Sequence, residues 1–164
     1  MSEQRKIRVL MVCLGNICRS PTAEGIFRHR VSEAGLGDVI ETDSAGTHGF
    51  HVNEPPDSRA QAVAAERGID LGDIRSRRFS PYDFGEFDYI LAMDDENLAV
   101  LRGNARDRDE QDRIYRMLDF AGDTGEREVP DPYYGPSGGF ERVFDLLEDA
   151  SAGLLSYLKQ THKL

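Results

Sequence analysis

The stretch KIRVLMVCLGNICRSP, residues 6–21, passes from one kind of backbone to another within a few residues. Its first half, KIRVLMVC (6–13), is a β-branched, apolar run too short for a core helix, which predicts a buried strand. Gly15 and Asn16 then break the pattern. Ser20 stands at an N-cap position with Pro21 at the first helical position, where a missing N–H costs nothing, so a helix is expected from there to about Gly35. Strand, tight loop and helix in this order open a βα unit.

Outward from that unit the alternation continues. VIETDSAG (39–46) reads as a second strand with a turn behind it. Asp57 begins a helix over DSRAQAVAAERG, whose Ala60, Val63 and Ala64 share a face and whose Gly68 suits a C-terminal cap. FDYILAMD (87–94) is a third strand followed by the helical DENLAVLR, and RIYRMLDF (113–120) is a fourth. The last helix begins at GGFERVFDLL and carries Phe140, Val143, Phe144, Leu147, Leu154 and Leu158 on one stripe, a core face. Strands alternating with helices of this length imply an α/β fold, a parallel sheet covered by helices on both faces. The charged run NARDRDEQDR (104–113) reads as a solvated loop or helix end. No repeat or linker interrupts the chain, so residues 1–164 are expected to form one domain.

Composition narrows the function. With 39% hydrophobic residues in 164, the chain supports a single core without staples. No run approaches the ~20 apolar residues that span a bilayer, and MSEQRKIRVLMVCLG has no small-residue cleavage site. The expectation is a cytoplasmic monomer, away from membranes, with reduced thiols. Thirty acids against 20 bases give a net charge of −10, which argues against nucleic-acid binding because that needs a positive field. An anionic ligand must then be held by local dipoles and donors.

Residues 13–20 are placed to do this, beyond the carboxyl end of a parallel strand and at a helix N-terminus. Backbone N–H groups of Leu14, Gly15, Asn16, Ile17 and Cys18 can converge on one anion, and glycine and asparagine tolerate the positive φ needed to curl such a loop. Arg19 adds a planar fork matched to two phosphoryl oxygens. There is no Walker lysine. A helix N-terminus and a guanidinium also favour the thiolate of a nearby cysteine, so Cys13 is a candidate nucleophile and a phosphocysteine a candidate intermediate. The Ser20 hydroxyl can donate to that sulfur as it leaves. An isolated cysteine at a strand end is commonly a small buried hydrophobe. The C-x5-R-S spacing between an apolar strand and a proline selects the functional reading.

The segment CLGNICRSP resembles the signature loop of the low-molecular-weight protein tyrosine phosphatases, and DSAGT (43–47), FDYILAMDDENL (87–98) and DPYYG (131–135) follow in that family's order and spacing. The resemblance spans nearly the whole chain. It implies a four-stranded parallel sheet of order 2-1-3-4 and phosphotyrosine hydrolysis on Cys13. It also implies Asp131, stiffened between Pro130 and Pro132, as general acid and base. Asn16 and Ser44 match residues that tie the phosphate loop to the neighbouring strand end. Leu14, Phe50, Tyr133 and Tyr134 match the walls of an aromatic slot. Ile17, where related arginine-phosphate phosphatases tend to carry threonine, favours phosphotyrosine. Two positions depart from the pattern: Phe50 stands where tryptophan or tyrosine is expected, and Ile74 lies near a position where a histidine often partners the loop asparagine. A looser Asn16 network, or another partner for it, is expected.

C-x4-C is also half of a zinc pattern, but His29, His48, His51 and His162 offer no paired spacing such as H-x3-H close to it, and neither metal nor cofactor is expected. Cys18 matches the family's resolving thiol, which implies a reversible Cys13–Cys18 disulfide on oxidation. The expected partners are phosphotyrosine proteins, a tyrosine kinase among them. Two other functions fit the same loop: arsenate reduction with external thiols, since no cysteine follows Cys18, and a catalytically inactive phosphoprotein-binding module.

Overall fold

The computed structural model describes residues 6–133, 135 and 139–164. Its sheet has the order β2-β1-β3-β4, with β1 at Ile7–Cys13, β2 at Ile40–Gly46, β3 at Tyr89–Ala92 and β4 at Ile114–Arg116, all parallel. Helix α1 covers Arg19–Glu33, α2 Ser58–Glu66, α3 Asp83–Glu86, α4 Asp95–Asn104, α5 Arg108–Gln111 and α6 Gly139–His162. The expected topology is therefore the observed one.

β1 is interior and buried on both sides, which is why it reads as an unbroken apolar run. Val9, Met11 and Cys13 point into a core built with Ala23, Ile26 and Phe27 of α1 and with the α6 stripe of Val143, Phe144, Leu147, Leu154 and Leu158. Leu10 and Val12 point the other way, against Phe84 of α3 and Leu98 and Leu101 of α4. The period-two alternation of the strand thus allots one core to each face. It also sends Cys13 to the α1 side.

Two boundaries differ from the sequence reading. β4 stops at Arg116, and Met117–Phe120 form a 3-10 turn that lies against α6. Gly153 permits the approach: a Cβ there would lie 1.7 Å from the Phe120 carbonyl oxygen. An apolar run reads alike for a strand and for a buried turn, and a distant glycine decides between them. Helix α1 begins at Arg19 with Cys18 at the cap, so Ser20 lies in the first turn and its side chain caps nothing. Its hydroxyl serves the loop instead.

Candidate active site

The loop between β1 and α1 is pinned on several sides by backbone hydrogen bonds. Thr47 N–H donates to the Cys13 carbonyl at 2.8 Å, His48 N–H to Leu14 at 3.1 Å, and Asp57 N–H, at the N-cap of α2, to Ile17 at 2.8 Å. Asn16 supplies the left-handed turn at φ 58°, a conformation it tolerates better than most residues. Gly15 serves otherwise. A Cβ on it would meet the His51 ring at 3.1 Å, so its bareness lets an imidazole sit close over the loop.

Asn16 organises the interior. Its Oδ1 accepts from Arg77 N–H at 2.9 Å, which fixes the amide's orientation, and its Nδ2 donates to Ser20 Oγ at 2.8 Å and Ser44 Oγ at 2.9 Å. Ser20 Oγ lies 3.0 Å from Cys13 Sγ, and Ser44 Oγ donates to Glu24 Oε1 at 2.6 Å. Ile74 is a buried core residue, and the backbone amide of Arg77 supplies a donor to Asn16. The network is closed, not loosened.

Arg19 is almost wholly enclosed. Its Nη1 donates to Asp94 Oδ2 at 2.5 Å and to the Val129 carbonyl at 3.0 Å, while Nη2 stands 3.6 Å from Asp131 Oδ2. Burial pulls the guanidinium pKa down, but the Cys13 sulfur and the Asp94 and Asp131 carboxylates more than offset it, and the net shift is upward. Arg19 is a fixed cation with an anchored half and a half turned to the pocket. Burial, with Asp57, Cys13 and Asp131 nearby, pushes the Cys18 thiol up, so Cys18 is a neutral thiol.

The pocket above the loop is lined by Cys13, Leu14, Gly15, Ile17, Cys18, Arg19, Phe50, His51, Asp131 and Tyr133. Phe50 is 68% exposed and stacks on His48 at 5.1 Å, so it presents a free aromatic face. Asp131 accepts from Tyr133 N–H at 3.1 Å, an Asx turn that holds its carboxylate toward the pocket mouth. Arg59 Nη2 donates to the Tyr133 carbonyl at 3.2 Å while its guanidinium lies over the Tyr133 and Phe140 rings and pairs with Asp57. Tyr134 lies outside the described residues. The structure therefore gathers Cys13, Arg19, Asp131 and the slot residues Leu14, Phe50 and Tyr133 at one pocket, with Ser20, Asn16 and Ser44 behind it.

The family profile described as low molecular weight phosphotyrosine protein phosphatase matches residues 8–164. This chain belongs to that family. A low molecular weight protein-tyrosine-phosphatase of Streptomyces coelicolor is 46% identical over 155 residues, covering 93% of this chain and 94% of the relative. One of Bacillus subtilis is 42% identical over 158 residues, covering 96% and 99%. The crystal structure of a protein tyrosine phosphatase from Entamoeba histolytica superposes with a TM-score of 0.91 at 41% identity, covering 97% of this chain and 100% of the other. As a low molecular weight phosphatase the chain is a phosphoric monoester hydrolase.

Several residues of this phosphatase's site escaped the sequence reading. Asp94 caps α4 by accepting from Asn97 N–H at 2.8 Å and also anchors Arg19. An aspartate ahead of a helix signals a cap, but nothing local signals the arginine. His51 lines the pocket with its Nδ1 2.6 Å from Glu54 Oε2, and Glu24 and Arg77 complete the network under the loop. The bonds of Asp94 to Arg19, Glu24 to Ser44 and Arg77 to Asn16 join segments 75, 20 and 61 positions apart, so no spacing betrays them.

Proposed function

We propose that this phosphatase hydrolyses phosphotyrosine in proteins by a two-step, in-line transfer through Cys13. The supporting observation is that Cys13 Sγ sits 3.0 Å from Ser20 Oγ at the floor of the pocket that Arg19 and Asp131 also line. The phosphoryl oxygens lie among the loop N–H groups and the pocket-facing edge of Arg19, where fixed donors stabilise developing charge without reorganisation. Cys13 sulfur attacks phosphorus, the bond to the tyrosine oxygen breaks, and Asp131 gives that oxygen its proton. Water then attacks the phosphocysteine, Asp131 takes a proton from it, and the P–S bond breaks to release inorganic phosphate. The Ser20 hydroxyl donates to the departing thiolate.

Phe50 and Tyr133 flank the substrate ring, and Ile17 offers an apolar flank that suits a phenyl group better than a guanidinium. The arsenate-reducing and non-catalytic readings are not favoured by the family match, and both cysteines already lie in the one loop. On this reading the enzyme is a cytoplasmic monomer that acts on tyrosine-phosphorylated proteins, a tyrosine kinase among them. No helix among the described residues is long and apolar enough to cross a membrane.

The test is phosphate release from an aryl phosphate in the presence of a chelator, with and without vanadate. Vanadate-sensitive turnover by the wild type is expected, and Cys13→Ser should bind phosphate yet turn nothing over. Turnover persisting in Cys13→Ser would remove Cys13 from the mechanism.

A further inference from the structure

The hydrogen bonds under the phosphate loop have a direction, and it is fixed from one end. Asn16 Oδ1 is occupied by the Arg77 N–H, so both Nδ2 hydrogens go to the Ser20 and Ser44 hydroxyl oxygens. Each hydroxyl then has a single hydrogen to give. Ser20 directs its own toward Cys13 Sγ at 3.0 Å, better placed than the Ala45 carbonyl at 3.5 Å. Ser44 gives its hydrogen to Glu24 Oε1 at 2.6 Å. The series ends on a carboxylate, and Asn16, Ser20, Glu24 and Ser44 are all buried.

We propose that Glu24 is a positioning residue of this phosphatase: the buried acceptor that keeps Ser44 and Asn16 oriented so that the Ser20 hydroxyl points at the Cys13 sulfur. The inference rests on the phosphatase reading and goes beyond it by adding a residue that does not touch the substrate.

The groups facing Glu24 decide what its proton does. From α1, Arg28 Nη1 lies 3.9 Å from Glu24 Oε2 but is drawn outward by Asp73, at 3.1 Å. From β2 come the Ser44 hydroxyl and the Asp43 carboxylate, the latter paired with Arg77 at 3.1 Å. Burial, then Asp43 and Asp73, resist ionisation, while Ser44 and Arg28 favour it, and the Glu24 carboxyl is pushed up to about 7. A proton on Oε1 would leave the Ser44 hydrogen without an acceptor. A proton on Oε2 would face the Arg28 guanidinium, a donor. Only the ionised carboxylate satisfies the chain, so the orientation of Ser20 weakens as pH falls through neutrality.

The test compares wild type, Glu24→Gln and Glu24→Ala for kcat on an aryl phosphate between pH 5.5 and 8.5. Glutamine is the non-titrating mimic of the protonated acid, with its amide nitrogen toward Arg28. Glu24→Gln should therefore lose about threefold in kcat at pH 8 relative to wild type, and the deficit should close as pH falls and the wild-type carboxylate takes up its proton. Glu24→Ala, which removes the acceptor, should lose about tenfold in kcat at every pH, the kinetic equivalent of one charge-assisted hydrogen bond. Because a variant can fail to fold, the Glu24 carboxyl carbon is also followed by NMR in the wild type, where a midpoint near neutrality is expected. A constant Glu24→Gln to wild-type ratio across the pH range, an unimpaired Glu24→Ala, or a wild-type midpoint in the ordinary carboxylate range each overturns the proposal. Absence of aryl-phosphate turnover in wild type would remove the phosphatase reading as well, whereas turnover indifferent to residue 24 removes this inference alone.

Discussion

Replacing Glu24 by glutamine should change the slope of stability against pH, and the direction follows from linkage. The carboxyl moves from an ordinary 4.5 in the unfolded chain to about 7 in the folded one, chiefly through burial. The folded state therefore holds a proton that the unfolded state has released. Stability from this group is complete below about pH 4.5, declines as pH rises through the folded value and levels off above it. A shift of this size corresponds to about 3 kcal/mol at most, since one unit is about 1.4 kcal/mol. In a domain of this length that is about 6 to 12 °C in Tm. Thermal unfolding of wild type and Glu24→Gln should be followed by circular dichroism in steps from pH 4.5 to 8.5. The wild-type Tm should fall relative to the variant between pH 5 and 7.5 and then run parallel to it. Parallel curves throughout the range would refute the reasoning, because they would mean that Glu24 carries the same proton occupancy folded and unfolded.

Other outcomes follow from the same geometry. A Cβ on Gly46 would lie 2.9 Å from the Leu14 carbonyl oxygen, 3.0 Å from that of His48 and 3.1 Å from the Gly15 carbonyl carbon, all backbone. Gly46→Ala should therefore displace the phosphate loop, lowering kcat/KM by about 10²-fold and stability by about 1 to 3 kcal/mol; wild-type kinetics would show that the loop yields without consequence. Asp131→Asn should lower kcat about 10² to 10⁴-fold on phenyl phosphate but far less on p-nitrophenyl phosphate, whose leaving group needs no proton, and an equal loss on both would remove Asp131 as the acid. Peroxide-treated wild type should recover with a thiol reductant while Cys18→Ser does not, and because the Cys18 thiol is pushed up by burial, trapping should quicken as pH rises. Full recovery of Cys18→Ser would contradict a resolving role.

What the sequence disclosed and what it withheld divide along contact distance. β1 was legible as a short apolar run buried on both faces, α1 by the proline in its first turn, and α6 by the period close to 3.6 of its buried stripe, each a signal carried by contiguous residues. Cys13, Arg19 and Ser20 were legible for the same reason: loop, strand end and helix start are one uninterrupted segment, so their spacing is their geometry. Asp131 carried no such mark among 30 acids and was chosen by resemblance alone, yet it stands 3.6 Å from Arg19. Asp94 was wholly hidden, since its bond to Arg19 crosses 75 positions of sequence. RIYRMLDF was misjudged at its end because Gly153, far along the chain, makes room for the turn at Phe120.

Ile74 shows why a missing side chain is a poor guide to a missing interaction. Judged by residue type, an isoleucine near the position where a histidine is expected predicts a looser Asn16 network or another partner for it. The structure supplies the donor from the Arg77 main chain, a group every residue but proline carries and that no substitution at position 74 would reveal. An imidazole near Asn16 would bring a group able to carry positive charge as pH falls. Among the described residues, the acid at the far end of this network meets Arg28 only at 3.9 Å and is shared between a hydroxyl and two repelling carboxylates. The support of the phosphate loop in this phosphatase is therefore tied to loss of a proton rather than gain of one. The pH range in which the nucleophile is best oriented accordingly lies on the alkaline side of neutrality.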